Sequence, residues 1–350
     1  MSITKSVFGK LKDGTQVELY TITNANGASV ALQTLGAGIQ ALNMPNKNGV
    51  MGDVVLGFDN PQDYENPDYG YQGLVVGRWA NRIRDAKFTF NGKEYHTPNN
   101  QGQWTLHAGG RFSFTCWEVE STGEDCITFY RFSPDGEDGF PGNLKMWVTY
   151  TLSDDNELRI DYRILCDTDT VANPTNHAYF NLGDDDNATV EGHYLYIDAD
   201  KFTETDDDQL PTGLLGDVKD TMMDFTFMHR IGDNIDAPFR AIIEGIGYDN
   251  NYCINNYDGS MKTIATLWDK ASGRKMDVIT DLPGVQLYCG GWLKKDYTAG
   301  KGSNIVKFRR GAALETQFYP DTVNIPQFPS RFVKANEEFK TTTIFRFSVE

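Results

Sequence analysis

The chain has 350 residues, with 49 Asp and Glu against 32 Lys and Arg, for a formal net charge of −17. A surface this acidic does not displace counterions from a phosphate backbone, which excludes nucleic acid as a partner. No stretch approaches the roughly 18 apolar residues that span a bilayer, which excludes a membrane-spanning helix.

Composition and periodicity point to β structure. Hydrophobic residues make up 39%, with 21 Phe, 17 Tyr and 6 Trp, enough apolar area for a large core, and 34 Gly imply many turns and few long helices. Met1 to Tyr20 mixes Lys5, Lys10, Lys12, Asp13 and Glu18 into short apolar runs. That order lacks the cationic and then apolar regions of an export signal, so the expected location is cytoplasmic. A turn follows at Asn24-Ala25-Asn26-Gly27, and a short helix is expected at residues 60–64. Ala86-Lys87-Phe88-Thr89-Phe90 alternates as a half-buried strand, and Asn91-Gly92 turns it into a tight hairpin ending near Tyr95. Further period-two strands are expected at residues 146–150, 157–163 and 342–347, with a second short helix around residues 220–229. No linker or repeat divides the chain. One domain over residues 1–350 is expected, all-β, as a large two-sheet antiparallel sandwich.

Cys116, Cys126, Cys166, Cys253 and Cys289 are odd in number and contain no Cys-x-x-Cys pair, so zinc sites and a disulfide framework are not expected. They read as reduced thiols in a reducing compartment. The triplets Asp184-Asp185-Asp186 and Asp206-Asp207-Asp208 lack the alternate-ligand spacing of a calcium loop and read as solvated surface. Gly109-Gly110 and Gly290-Gly291 have no phosphate-loop spacing, so no nucleotide cofactor and no metal are expected.

Five histidines can be weighed one by one. His96, His193 and His229 read as structural. His107 lies where a strand-like run meets Gly109 and Gly110, which permit close approach of a ligand. His177 lies among Asn173, Thr175, Asn176 and Asn181, whose amides and hydroxyl can fix a ring tautomer. Glu315 stands in the apolar run Ala312-Ala313-Leu314-Glu315; facing inward it loses solvation and its pKa rises toward that of a useful base. Facing outward it is an ordinary strand residue, and parity alone leaves both open. Arg78 and Arg82 flank Asn81 and read, from their turn context, as surface ion pairs.

The segments Gly77-Arg78-Trp79-Ala80-Asn81-Arg82-Ile83, Leu106-His107, Pro134-Asp135-Gly136-Glu137-Asp138-Gly139-Phe140-Pro141-Gly142, Thr175-Asn176-His177-Ala178-Tyr179-Phe180-Asn181-Leu182, Gly247-Tyr248-Asp249, Pro283-Gly284-Val285-Gln286 and Leu314-Glu315-Thr316-Gln317 resemble, in order and spacing, the aldose 1-epimerases or galactose mutarotases. The resemblance implies a mutarotase-like supersandwich that interconverts α and β anomers of free hexoses such as galactose and glucose, with no cofactor. It places the general base on Glu315 and the general acid on His177. His107 then hydrogen-bonds near the reacting centre, and Asn81, Arg82, Asp249 and Gln286 hold sugar hydroxyls. An aromatic wall from among Trp79, Tyr179, Phe180 and Tyr288 is expected. Ala108 departs from the family, which follows its Leu-His directly with glycines, so the loop beside His107 is expected to differ in shape.

Other readings stay open at this stage. One is a sugar-binding protein without turnover; another is a hexose 6-phosphate 1-epimerase that holds its phosphate on Arg78 or on Arg309-Arg310. A glycoside hydrolase needs a second carboxylate near Glu315, for which Asp249 is the candidate. The partner is a small-molecule aldose, and the chain is read as a monomer or a homodimer.

Overall fold

A computed structural model describes residues 1–185 and 188–350, so Asp186 of the first aspartate triplet lies outside the described residues. The period-two segments are strands. In Leu144–Leu152 the side chains of Leu144, Met146, Val148, Tyr150 and Leu152 are buried and the residues between them face outward. On that outer face the Arg163 guanidinium lies 3.6 Å from the centre of the Trp147 ring, covering it with a cation.

Nine strands make the largest sheet, in the order Glu118–Thr122, Cys126–Ser133, Leu144–Leu152, Glu157–Cys166, Phe339–Val349, Arg274–Thr280, Lys262–Trp268, Tyr194–Ile197 and His229–Arg230. The last strand of the chain is therefore central, antiparallel to both Glu157–Cys166 and Arg274–Thr280. Six more strands form a second antiparallel sheet: Tyr179–Phe180, Ala312–Gln317, Gly284–Tyr288, Asp249–Cys253, Lys201–Thr205 and Pro211–Asp217. The two sheets pack face to face. The Phe180 ring lies 4.7 Å from that of Phe345, and the Thr316 and Thr343 hydroxyls meet at 2.5 Å. A five-stranded meander from Ser2–Lys10 to Met51–Asp53 adds Ile22, Val30, Leu32 and Leu42 to the same core. Each fully buried side chain of this size contributes about 1.5–3 kcal/mol relative to exposure.

Local chemistry explains the connections. Asn91 and Gly92 both adopt positive φ, 49° and 76°, as a two-residue turn between right-twisted strands requires, and the hairpin pairs Lys87–Phe90 with Lys93–His96. The short helix at residues 60–64 forms as Pro61–Tyr64, with the Asn60 side chain accepting from the Asp63 N–H at 3.0 Å. The helix expected around residues 220–229 does not form. There Thr221 Oγ1 accepts from the Met223 N–H, and Asp224 Oδ1 accepts from both the N–H and hydroxyl of Thr226, so side chains take the donors that a helix would use. The helix occurs instead at Arg240–Gly245, six residues long and too short to show a stripe in the sequence.

Three further expectations are corrected. Arg78 is buried and makes no surface ion pair: it donates to Ser133 Oγ and to the carbonyls of Ser133, Pro134, Pro141 and Gly142. Asp184 is not simply solvated, because it pairs at 2.7 Å with the buried Arg274. Asp206 accepts from Arg84 at 2.7 Å, and its neighbours Asp207 and Asp208 belong to a pocket wall. The five thiols are free; Cys166, Cys253 and Cys289 are buried, Cys116 and Cys126 half-buried. Among the described residues, no helix is long and apolar enough to cross a membrane.

Candidate active site

Strand parity decides which way Glu315 faces. Thr316 meets Thr343 of the nine-stranded sheet, so Glu315 beside it projects from the opposite face of the six-stranded sheet. Register then gathers partners on that face. Gln286 lies opposite Glu315, Asp249 opposite Tyr288, and both Tyr288 and Tyr179 opposite Ala313. Phe180, one residue on, turns into the core.

Segments from the first third of the chain close over this face. Arg82–Ile83 pairs with Thr105–Leu106, which brings Asn81 and Arg82 beside His107. The His177 backbone is held by Gly73 and Leu74: the Gly73 N–H donates to the His177 carbonyl at 2.9 Å, and the His177 N–H to the Leu74 carbonyl at 3.0 Å. Gly73 has φ 69°, and a Cβ there would stand 2.1 Å from the Ile39 carbonyl oxygen, so no larger residue fits this approach.

A pocket of about 460 Å³ results. Of the residues singled out in the sequence, Asn81, Arg82, His107, His177, Asp249 and Glu315 line it. Gln286 does not; it is buried and donates to Asp249 Oδ1 at 2.6 Å, holding that carboxylate. His96, His193 and His229 are elsewhere, and His193 Nε2 accepts from the Leu182 N–H at 2.8 Å. Among the aromatic candidates Tyr179 and Tyr288 reach the pocket, Trp79 packs with Ile83, Phe88 and Phe140, and Phe180 is in the core.

Glu315 Oε1 is 3.5 Å from His177 Nε2, and both side chains are almost wholly buried, 2% and 5% exposed. Burial pushes the Glu315 carboxyl well above the usual range, and the negative charge of Asp249 adds to that. Burial also lowers His177, to about 4. The Tyr179 ring stacks on His177 at 4.8 Å, and the Tyr71 ring lies 4.7 Å from His107, so aromatic faces replace water around both imidazoles. Glu315 Oε2 and His177 Nδ1 are buried with no protein partner, leaving valences for a ligand.

His107, His177 and Glu315 present ligand atoms within 4.8 Å of one another, a spacing that invites comparison with a metal centre. The His107 tautomer argues otherwise. Its Nδ1 accepts from the Asn81 N–H at 3.2 Å, and burial holds the ring neutral by lowering its pKa well below the ordinary value. The ring proton is therefore on Nε2, which offers a donor to the pocket where a metal needs a lone pair. The donor set suits an oxygen-rich neutral ligand. His107 and Ala108 both have left-handed backbone, φ 52° and 50°, a conformation that glycine favours.

Sequence reasoning missed Tyr71, Gln209, Trp104, Trp292 and Lys294 on the pocket wall. None belongs to a motif. Asp207 and Asp208 also line the pocket, although they read in sequence as a surface charge run.

Residues 18–346 match the family described as aldose 1-epimerase. The chain is 38% identical to a galactose mutarotase of Rattus norvegicus over 353 aligned positions, covering 100% of this chain and 99% of the relative. It is 32% identical to an aldose 1-epimerase of Escherichia coli (strain K12), covering 97% of each. Among solved structures, an aldose epimerase homologue from C. elegans superposes with a TM-score of 0.85 at 32% identity, covering 95% of this chain and 98% of that one. A galactose 1-epimerase from Lactobacillus acidophilus also superposes at 0.85, with 26% identity and coverage of 100% and 99%.

Proposed function

The chain belongs to the aldose 1-epimerase family, isomerases that exchange the α and β anomers of an aldose, and from that premise we propose that Glu315 is the general base and His177 the general acid. The observation that carries these roles is the buried 3.5 Å contact between Glu315 and His177 beside a pocket of monosaccharide size or larger.

Anomer exchange needs two proton transfers. A base takes the proton from the C1 hydroxyl while an acid protonates the ring oxygen, the C1–O5 bond breaks, and the open-chain aldehyde rotates about C1–C2. Reclosure on the other face runs the same transfers backwards. Ring opening starts from carboxylate and imidazolium and ends with carboxylic acid and neutral imidazole. The latter pair carries no buried charge, and the upward shift of Glu315 with the downward shift of His177 favours it. Each full turnover restores the starting protons, so no external acid or base is consumed.

In this reading His107 Nε2–H donates to a sugar oxygen near the reacting centre, and Asn81, Arg82 and Asp249 hold hydroxyls, with Gln286 acting behind Asp249. A site built this way rejects analogues lacking those hydroxyls, because each buried group left unpaired costs about 1–3 kcal/mol. Galactose, named for the rat relative, and glucose are the proposed substrates. Carboxylates outnumber cations on the pocket wall: Asp68, Asp207, Asp208, Glu244, Asp249 and Glu315 against Arg82 and Lys294. Arg78 is spent on carbonyls and Arg309 on Asp236 and Glu191, which favours a neutral aldose over a 6-phosphate. The central position of the last strand supports reading residues 1–350 as one domain, and the free thiols fit residence in the cytoplasm.

Polarimetry tests the reading. Freshly dissolved α-D-galactose and α-D-glucose should reach equilibrium rotation faster with the protein than without it. Binding of either sugar with no acceleration, from folded protein, leaves a sugar-binding module instead.

A further inference from the structure

We propose that Gln209 is a positioning residue for the sugar site, its amide bridging Arg82 and Asp249 from the side so that their ion pair stays long and both face the ligand. The inference rests on the aldose-binding reading above.

An arginine and an aspartate left adjacent in a buried site close to a short, often bidentate, ion pair of about 2.7–2.9 Å. Here the approach of Arg82 Nη2 to Asp249 Oδ2 stops at 3.5 Å. The Gln209 side chain engages the same two atoms: Arg82 Nη2 donates to Gln209 Oε1 at 2.8 Å, and Gln209 Nε2 donates to Asp249 Oδ2 at 3.2 Å. A primary amide offers an acceptor for the cation and a donor for the anion on one planar group. The two partners also fix which end of the amide is oxygen. Asp249 Oδ1 is held from the other side by Gln286, so the carboxylate is braced at both oxygens. Arg82 Nε is buried with no protein partner, a donor left over for a ligand.

The loop that presents Gln209 is built for the purpose. Gln209 is buried and adopts φ 58°, a left-handed conformation that a glutamine takes only when its surroundings impose it. Asp206 imposes it. Its carbonyl accepts the Gln209 N–H at 3.0 Å, and its Oδ1 accepts the N–H groups of Asp208 and Leu210 at 3.1 and 3.0 Å. Asp206 Oδ2 then accepts from Arg84 at 2.7 Å, two residues beyond Arg82. The loop is thus fastened twice to the segment that carries Arg82, once outside the pocket through Arg84 and once on its wall through Gln209.

Removing the amide lets Arg82 and Asp249 collapse together, which weakens sugar binding without touching Glu315 or His177. For Gln209→Leu the expected result is a KM for galactose raised at least tenfold with kcat changed less than threefold. In an Asp249→Asn background the same change should raise KM less than twofold further, since there is no anion left for Arg82 to close on. If Gln209→Leu does not fold, Gln209→Glu decides: it keeps the size and the acceptor for Arg82 but turns a like charge toward Asp249, and KM should again rise at least tenfold. Unchanged KM, a loss confined to kcat, or an undiminished penalty in the Asp249→Asn background overturns the proposal. Calorimetric titration with galactose separates it from the functional reading: if the protein binds galactose without accelerating anomer exchange, the enzymatic reading falls, and the ratio of dissociation constants for Gln209→Leu and the natural protein still decides the role of Gln209. Failure of the natural protein to bind galactose overturns both.

Discussion

Asn81 and His107 are joined by two reciprocal hydrogen bonds: the His107 N–H donates to the Asn81 carbonyl at 3.1 Å, and the Asn81 N–H donates to His107 Nδ1 at 3.2 Å. A backbone donor on Nδ1 fixes the neutral ring with its proton on Nε2. The tautomer of a pocket residue is thus set by main chain, and no side-chain substitution at position 81 removes it unless the loop moves.

His107 should therefore stay neutral, with Nε2 protonated, throughout the working pH range. Nitrogen NMR of labelled histidine side chains reads this directly; a His107 ring titrating between pH 6 and 7 would show the assignment wrong. His107→Ala removes a donor aimed at developing charge, and kcat should fall about 10²- to 10³-fold.

Glu315→Gln and His177→Asn should each lower kcat by about 10²- to 10⁴-fold while leaving the fold intact. Either variant retaining full turnover removes that residue from the proton-transfer pair. Polarimetry and circular dichroism together separate lost chemistry from lost structure.

The Glu315 carboxyl also makes stability depend on pH. Its folded pKa lies above the unfolded value of about 4.3, so the protonated form favours folding. That contribution is complete below pH ~4.3 and is lost as pH rises through the folded pKa. Glu315→Gln keeps the shape without the charge, so its Tm relative to the natural protein should climb between pH 5 and 9. A difference in Tm that is flat across this range refutes the burial argument.

Turnover should have a broad plateau, because the Glu315 and His177 pair holds a single proton from about pH 4 up to the raised pKa of Glu315. Asp249 contributes to that raised value through its charge. Asp249→Asn should move the basic limb of the kcat profile to lower pH, whatever it does to KM. A basic limb that stays in place means another group controls it.

Arg78 should matter for stability and little for chemistry. Its guanidinium caps four carbonyls, of Ser133, Pro134, Pro141 and Gly142, and is buried tightly enough that its pKa falls to about 10. Arg78→Ala strips a buried donor from all four, leaving Pro141 only Thr170 Oγ1 and Pro134 only the Glu137 N–H, and should cost about 3 kcal/mol or more in urea unfolding. The folded fraction should keep its turnover per molecule.

Much of this protein is legible in one dimension. Alternation in 146–150, 157–163 and 342–347 depends only on which side of a strand meets the core, and the Asn91-Gly92 turn depends only on two residues that accept positive φ. The helix expected at 220–229 failed for a local reason as well, since Thr221 and Asp224 compete with the backbone for donors. The resemblance to aldose 1-epimerases is likewise carried by short segments that keep their order.

Relations between distant segments are not legible in that way. Arg78 and Arg82 are alike in sequence, yet one faces the carbonyls of residues 133–142 and the other faces a pocket built from residues 209 and 249. Whether Glu315 points in or out depends on which face of its sheet meets Thr343. Gln209 has no motif; its meaning comes from Arg82, 127 positions away, and Asp249, 40 positions away. A strand's period is a property of neighbouring residues, so the sequence determined it alone. The sign of a side chain's face and the charge that surrounds it belong to the packing of sheets, and only the tertiary structure decided them.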